Sequence, residues 1–132
     1  MSYPKFILKD LFWSFSEGII ATETKFIEQF EAYHKSISQS KKMPFNWSDI
    51  VFNFPKIEIQ YLKYNEDEED YDEPSRILEA KNGINFSFQE ILFKIHQECV
   101  SLENDDRCYF EGLMYSDSEE NGVPTYFVIT GS

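Results

Sequence analysis

The sequence predicts an α+β domain: a mainly antiparallel sheet of about four strands, with two main helices packed on one face. Three observations lead there. Two segments carry apolar residues at helical spacing, other segments alternate or run apolar over strand lengths, and the turn dipeptides Asn82-Gly83 and Asn121-Gly122 separate them. The chain has 132 residues, 42% of them hydrophobic and 17% aromatic, which suits one domain, 1–132, and is too apolar for a disordered chain.

In chain order, Phe6-Ile7-Leu8 and Leu11-Phe12-Trp13-Ser14-Phe15 are apolar but short, and fit a buried strand or a short helix equally well. Ser16-Glu17-Gly18 reads as a turn. From Thr22 or Thr24 a helix is expected to about Ser38, with Phe26, Ile27, Phe30, Tyr33 and Ile37 on one stripe. A polar loop, Ser38 to Pro44, ends it. Phe45 to Pro55 is aromatic and irregular, and Ser48-Asp49 could start one helical turn.

After Pro55 the period becomes two. Ile57, Ile59 and Tyr61 share one face, and Glu58, Gln60 and Leu62 the other, as in a half-buried strand. Arg76 to Ala80 forms a second extended arm that can pair antiparallel with the first. Ser87-Phe88-Gln89-Glu90 is a capping box. Behind it Phe88, Ile91, Leu92, Ile95, Cys99 and Leu102 make a helical stripe, ended by Glu103-Asn104-Asp105-Asp106. Arg107 to Tyr115 is a strand with Gly112 as a candidate bulge or close approach. Ser116 to Gly122 reads as polar and turn-like, and Pro124 opens a last strand through Tyr126 to Thr130.

Charge is unevenly placed. Residues 1 to 57 sum to +1 and residues 58 to 132 to −13, within a net charge of −12. Such a field repels phosphate backbones and anionic headgroups, so direct nucleic-acid and membrane partners are not expected, whereas a basic protein is. Between the two arms lies Tyr64-Asn65-Glu66-Asp67-Glu68-Glu69-Asp70-Tyr71-Asp72-Glu73-Pro74, with seven carboxylates. Blocks of like charge are commonly solvated loops, but anionic charge also speeds encounter with a cationic partner, and tyrosines are frequent interface anchors. Tyr64, Glu66, Asp67, Glu68, Glu69, Asp70, Tyr71, Asp72 and Glu73 are therefore the candidate partner-binding residues. A second acidic group, Glu103, Asp105, Asp106, Glu111, Asp117, Glu119 and Glu120, could join them on one rim if folding allows.

No catalytic, cofactor or metal motif is recognised. The acid run lacks the alternating ligands and central glycine of an EF-hand loop. His34 and His96 have no ligand partners at zinc spacing and read as surface or satisfied helix-flank histidines. Cys99 sits on the helical core stripe, and neither Cys99 nor Cys108 lies where a nucleophile is activated. Two cysteines make no disulfide framework, and no secretory signal or apolar run of membrane length is visible, so the expected setting is the cytoplasm.

The succession Phe86-Ser87-Phe88-Gln89-Glu90-Ile91-Leu92-Phe93-Lys94-Ile95-His96, then Tyr109-Phe110-Glu111-Gly112-Leu113, then Val123-Pro124-Thr125-Tyr126-Phe127 and Gly131-Ser132 resembles small acidic immunity proteins of bacterial polymorphic-toxin and contact-dependent inhibition systems. The resemblance covers residues 86 to 132. It implies a protein that is not an enzyme and that neutralises a cognate toxin domain, commonly a nuclease. The expectation is thus a cytoplasmic immunity protein, monomeric or weakly dimeric and without cofactor, binding a basic toxin domain. The alternative is an anionic adaptor or DNA mimic that occupies a nucleic-acid-binding protein.

Overall fold

A computed structural model describes residues 3–38, 43, 45–102 and 106–131. Most of the loop expected at Ser38 to Pro44 lies outside these residues, as do Glu103, Asn104, Asp105 and Ser132.

The elements run β1 (Phe6–Ile7), β2 (Trp13–Ser14), α1 (Glu23–Ser38), β3 (Ile50–Phe52), β4 (Lys56–Gln60), β5 (Lys63–Asn65), β6 (Asp70–Asp72), β7 (Ser75–Glu79), β8 (Phe86–Ser87), α2 (Phe88–Cys99), β9 (Tyr109–Glu120) and β10 (Val123–Gly131). The expected four-stranded, mainly antiparallel sheet is thereby corrected. One mixed sheet of six strands runs β1-β9-β10-β4-β7, with β2 also on β9, and two-stranded ribbons form from β3 with β8 and from β5 with β6.

Three causes account for the difference. The short apolar runs at residues 6–7 and 13–14 are both edge strands on β9, pairing Phe6 with Met114 and Trp13 with Phe110. β9 continues through Ser116 to Glu120, where a turn was expected, because Ser116 and Asp117 form a bulge inside the ladder and do not end it. Asp117 takes φ 59°, and the Ser116 hydroxyl donates to the Thr125 carbonyl at 2.8 Å. The true turn is Asn121-Gly122, both at positive φ, as a two-residue hairpin requires. Finally, β10 folds back from β9 to lie beside β4 in parallel, Thr125 against Glu58 and Phe127 against Gln60.

The two arms pair antiparallel, from Lys56 opposite Glu79 to Gln60 opposite Ser75. Gly112 is the second irregularity of β9: its φ is +129°, and a Cβ there would stand 3.4 Å from the carbonyls of Ile7 and Leu8. Glycine lets the edge strand β1 approach at that point.

α1 buries Phe26, Phe30 and His34, so the core stripe turns at His34, and Ile37, expected in the core, is half exposed. In α2 the stripe from Phe88 to Leu102 is buried as its spacing implies, its last residue in a 3-10 turn. The capping box is half formed. Ser87 Oγ accepts from Glu90 N–H at 3.2 Å, but the Glu90 carboxylate turns away to Lys81 N–H and Lys94 Nζ, both at 2.7 Å. Ser48-Asp49 starts no helix. Asp49 closes a turn on Asn46, and the chain enters β3.

Aromatic rings fill the space between the helices and the sheet. Trp13, 2% exposed, stacks on Phe30 at 5.1 Å and meets Phe26 edge-on at 5.3 Å. Tyr126 is fully buried, and its hydroxyl donates to the carbonyl of Pro4.

Candidate functional site

The acid run folds as a ribbon. Seven carboxylates cannot be buried without partners, so the chain between β4 and β7 keeps them in water and satisfies its backbone locally. β5 pairs antiparallel with β6, Lys63 opposite Asp72, Tyr64 opposite Tyr71 and Asn65 opposite Asp70. Asn65 is the organiser: its Oδ1 accepts from Asp67 N–H at 3.0 Å and Glu68 N–H at 3.3 Å, while its Nδ2 donates to Asp72 at 3.2 Å. Asp70 Oδ1 accepts from Tyr71 N–H at 2.7 Å, and Glu69, at φ 52°, turns the chain back. At the base Tyr61 N–H donates to the Pro74 carbonyl, and Gln60 Nε2 to Glu73 at 3.3 Å.

Pairing sorts the side chains by face. Lys63, Asn65, Asp70 and Asp72 share one face of the ribbon, and Tyr64 and Tyr71 the other, their rings edge-to-face with centroids 5.3 Å apart. Glu66 to Glu69 form the tip. All seven carboxylates are exposed, and both tyrosines are more than 40% exposed. The nine expected contact residues thus sit together on one projecting element.

The second acidic group does not gather on the same rim. β10 runs parallel to β4, so the β9–β10 turn lies level with the start of β4, whereas the acidic ribbon leaves from its other end. Asp117, Glu119 and Glu120 are therefore at the opposite end of the central strands. Asp106 and Glu111 belong to the ribbon's end of the sheet, two strands away from β4.

Both histidines are buried, not on the surface. His96 is 1% and His34 3% exposed. His96 Nε2 faces the Gly18 carbonyl at 2.7 Å, and its Nδ1 accepts from Trp13 Nε1–H at 3.1 Å, which fixes a neutral ring with the proton on Nε2. Burial lowers the pKa of each histidine. The Cys99 thiol is fully buried and pushed well up by burial, so thiolate chemistry there is suppressed. Cys108 is buried too, beside the Ser14 hydroxyl at 3.5 Å. Among the described residues no three His, Cys, Asp or Glu side chains are placed to hold a metal ion.

Two concave features were not marked in the sequence. An open trough of about 1020 Å³ wraps β7. An apolar cleft of about 460 Å³ lies between α1 and the interrupted β1–β2 edge, floored by Trp13 and Tyr33 and rimmed by Asp10 and Glu111. The alternating Ile57–Tyr61 arm and its shorter partner hinted at an edge beside the first. The second brings Tyr33 and Ile37 of α1 to the same cleft as Tyr109 of β9, which no local pattern announces.

No family model, curated protein or solved structure matches this chain. Among the described residues no helix is long and apolar enough to cross a membrane.

Proposed function

We propose that this chain is an immunity protein, not an enzyme: it binds and neutralises a cognate, basic, nuclease-like bacterial toxin domain through its acidic ribbon. The observation that carries the reading is the ribbon itself. It spends eleven residues, Tyr64 to Pro74, on an element that adds no apolar side chain to the core and displays seven carboxylates beside two tyrosines. A domain that holds phosphates is basic, and an anionic projection complements it while an aromatic pair supplies contact area. The carboxylates give attraction at long range and the Tyr64–Tyr71 face gives it at contact. The resemblance of residues 86 to 132 to immunity proteins points the same way.

The test is a pull-down of the neighbouring upstream gene product at low and high salt. The expected result is capture at low salt, weakened at high salt and weakened again when Glu66 to Glu73 carry amides in place of carboxylates. Capture indifferent to both salt and neutralisation sinks the ribbon as the docking element. Competition by duplex DNA across several unrelated basic proteins would favour the DNA-mimic reading.

A further inference from the structure

We propose that the outer edge of β7 takes a strand from the partner, an extended segment of alternating basic and apolar residues, which adds itself to the six-stranded sheet. This rests on the docking role of the ribbon and supplies the main-chain half of the same interface.

β7 is the terminal strand of the sheet. Its ladder fixes which groups point outward. Tyr61 N–H donates to Pro74 and Ala80 N–H to Pro55, so at the same register Arg76 and Leu78 bond inward to β4. Ser75, Ile77 and Glu79 then turn their N–H and C=O away from the sheet. One of these groups is already taken: the Glu79 carbonyl accepts from Lys94 Nζ of α2. A cation has thus closed the edge at Glu79, and Ser75 and Ile77 remain as a two-residue template. Ile77 is half exposed, an apolar side chain on an edge strand with no covering element among the described residues.

The surroundings select the occupant. The trough around this edge is lined by β7, by α2 and by the β9–β10 turn. Its cations are engaged, Lys56 with Glu79 at 3.3 Å, Arg76 with Glu98 at 3.7 Å and Lys94 with Glu90 at 2.7 Å. Glu58 and Glu120 have no ion pair among the described residues; Glu58 only accepts from the Thr125 hydroxyl. Moreover β6 ends at Asp72, three residues before β7 begins, so an added strand passing Ser75 runs directly onto the carboxylates of the ribbon. Main-chain bonds at Ser75 and Ile77, an apolar contact with Ile77 on the face it shares with Glu58, and cations reaching Asp72-Glu73 beyond Ser75 describe one ligand. A second copy of this chain, with its net charge of −12, fits that ground poorly.

The test uses the full chain and a blocked eight-residue peptide of alternating lysine and valine, read by amide hydrogen exchange in low salt. With the peptide at about ten times its Kd, exchange at Ile77 N–H is expected to slow about tenfold. A matching peptide N-methylated at alternate residues, equal in charge, is expected to give no slowing. Ile77→Pro removes an outward N–H and the isoleucine side chain but no bond of the ladder to β4, and this variant is expected to lose affinity while keeping the wild-type fold by circular dichroism. Peptide binding that depends on the ribbon carboxylates yet leaves Ile77 exchange unchanged overturns strand addition and spares the docking role. Slowing at Ile77 that persists after neutralising the ribbon does the reverse. Absence of binding by the unmethylated peptide, or slowing at Ile77 that follows chain concentration without any peptide, overturns the proposal.

Discussion

Trp13 Nε1–H donates to His96 Nδ1 at 3.1 Å, a buried bond that joins an edge strand to the last turn of α2, 83 residues on. The indole is held by Phe26 and Phe30 of α1, and the other imidazole nitrogen meets Gly18. Three remote parts of the chain are registered by one neutral histidine. Several outcomes depend on it.

Acid should weaken the fold. Burial holds the folded pKa of His96 and His34 below the ordinary value of 6.5 that the unfolded chain regains. Between those values the unfolded state binds more protons. The histidine contribution is therefore fully present above about pH 6.5 and is lost as pH falls through the lowered folded values. Urea midpoints should be lower at pH 5.5 than at pH 7.5. His96→Gln should flatten part of that slope.

Trp13→Phe keeps the aromatic packing but strands a buried acceptor on His96. The expected loss is about 1–3 kcal/mol in chemical denaturation. A smaller effect would mean that water reaches Nδ1.

Gly112→Ala places a Cβ 3.4 Å from two carbonyls of the β1 segment at a φ of +129°. A loss above about 1 kcal/mol is expected, with faster amide exchange in β1 and its partners Leu113 and Met114. Gly83→Ala is the control. Its Cβ would meet open space, so only the backbone cost of its positive φ should register.

Glu90→Ala removes the acceptor of Lys81 N–H and the counter-ion of Lys94, both at 2.7 Å, from a position that is 7% exposed. The loss should be about 2 kcal/mol or more, larger than for any acid of the ribbon. Ribbon carboxylates, all in water, should leave stability unchanged within about 0.5 kcal/mol when neutralised, or raise it by relieving repulsion.

What could be read from the chain was what local rules govern. The Ile57–Tyr61 alternation, the Phe88–Leu102 stripe, the two Asn-Gly turns and the pairing of the arms are each set by residues close in sequence. The acid run was legible because charge density alone keeps it in water. Sheet order was not, since nothing within β10 says that it lies parallel to β4. Nor did residues 6–7 and 13–14 announce a shared partner, because two-residue strands carry no period. The burial of the histidines was hidden for the same reason. His96 is on the helix flank by sequence, and only Trp13 and Gly18, far away in the chain, make that flank interior. The ribbon's internal order came from Asn65, one amide among acids, whose bonds to Asp67, Glu68 and Asp72 depend on the pairing of Tyr64 with Tyr71.

The acidic ribbon as docking element is tested most directly by association kinetics. The upstream toxin domain would be bound to the wild-type chain and to the chain with the seven ribbon carboxylates replaced by amides, at about 50 mM and about 500 mM salt. The account predicts a wild-type association rate that falls at least about tenfold between the two salts, and a neutralised chain that is slow at both. Equal rates for the two chains at low salt would contradict it.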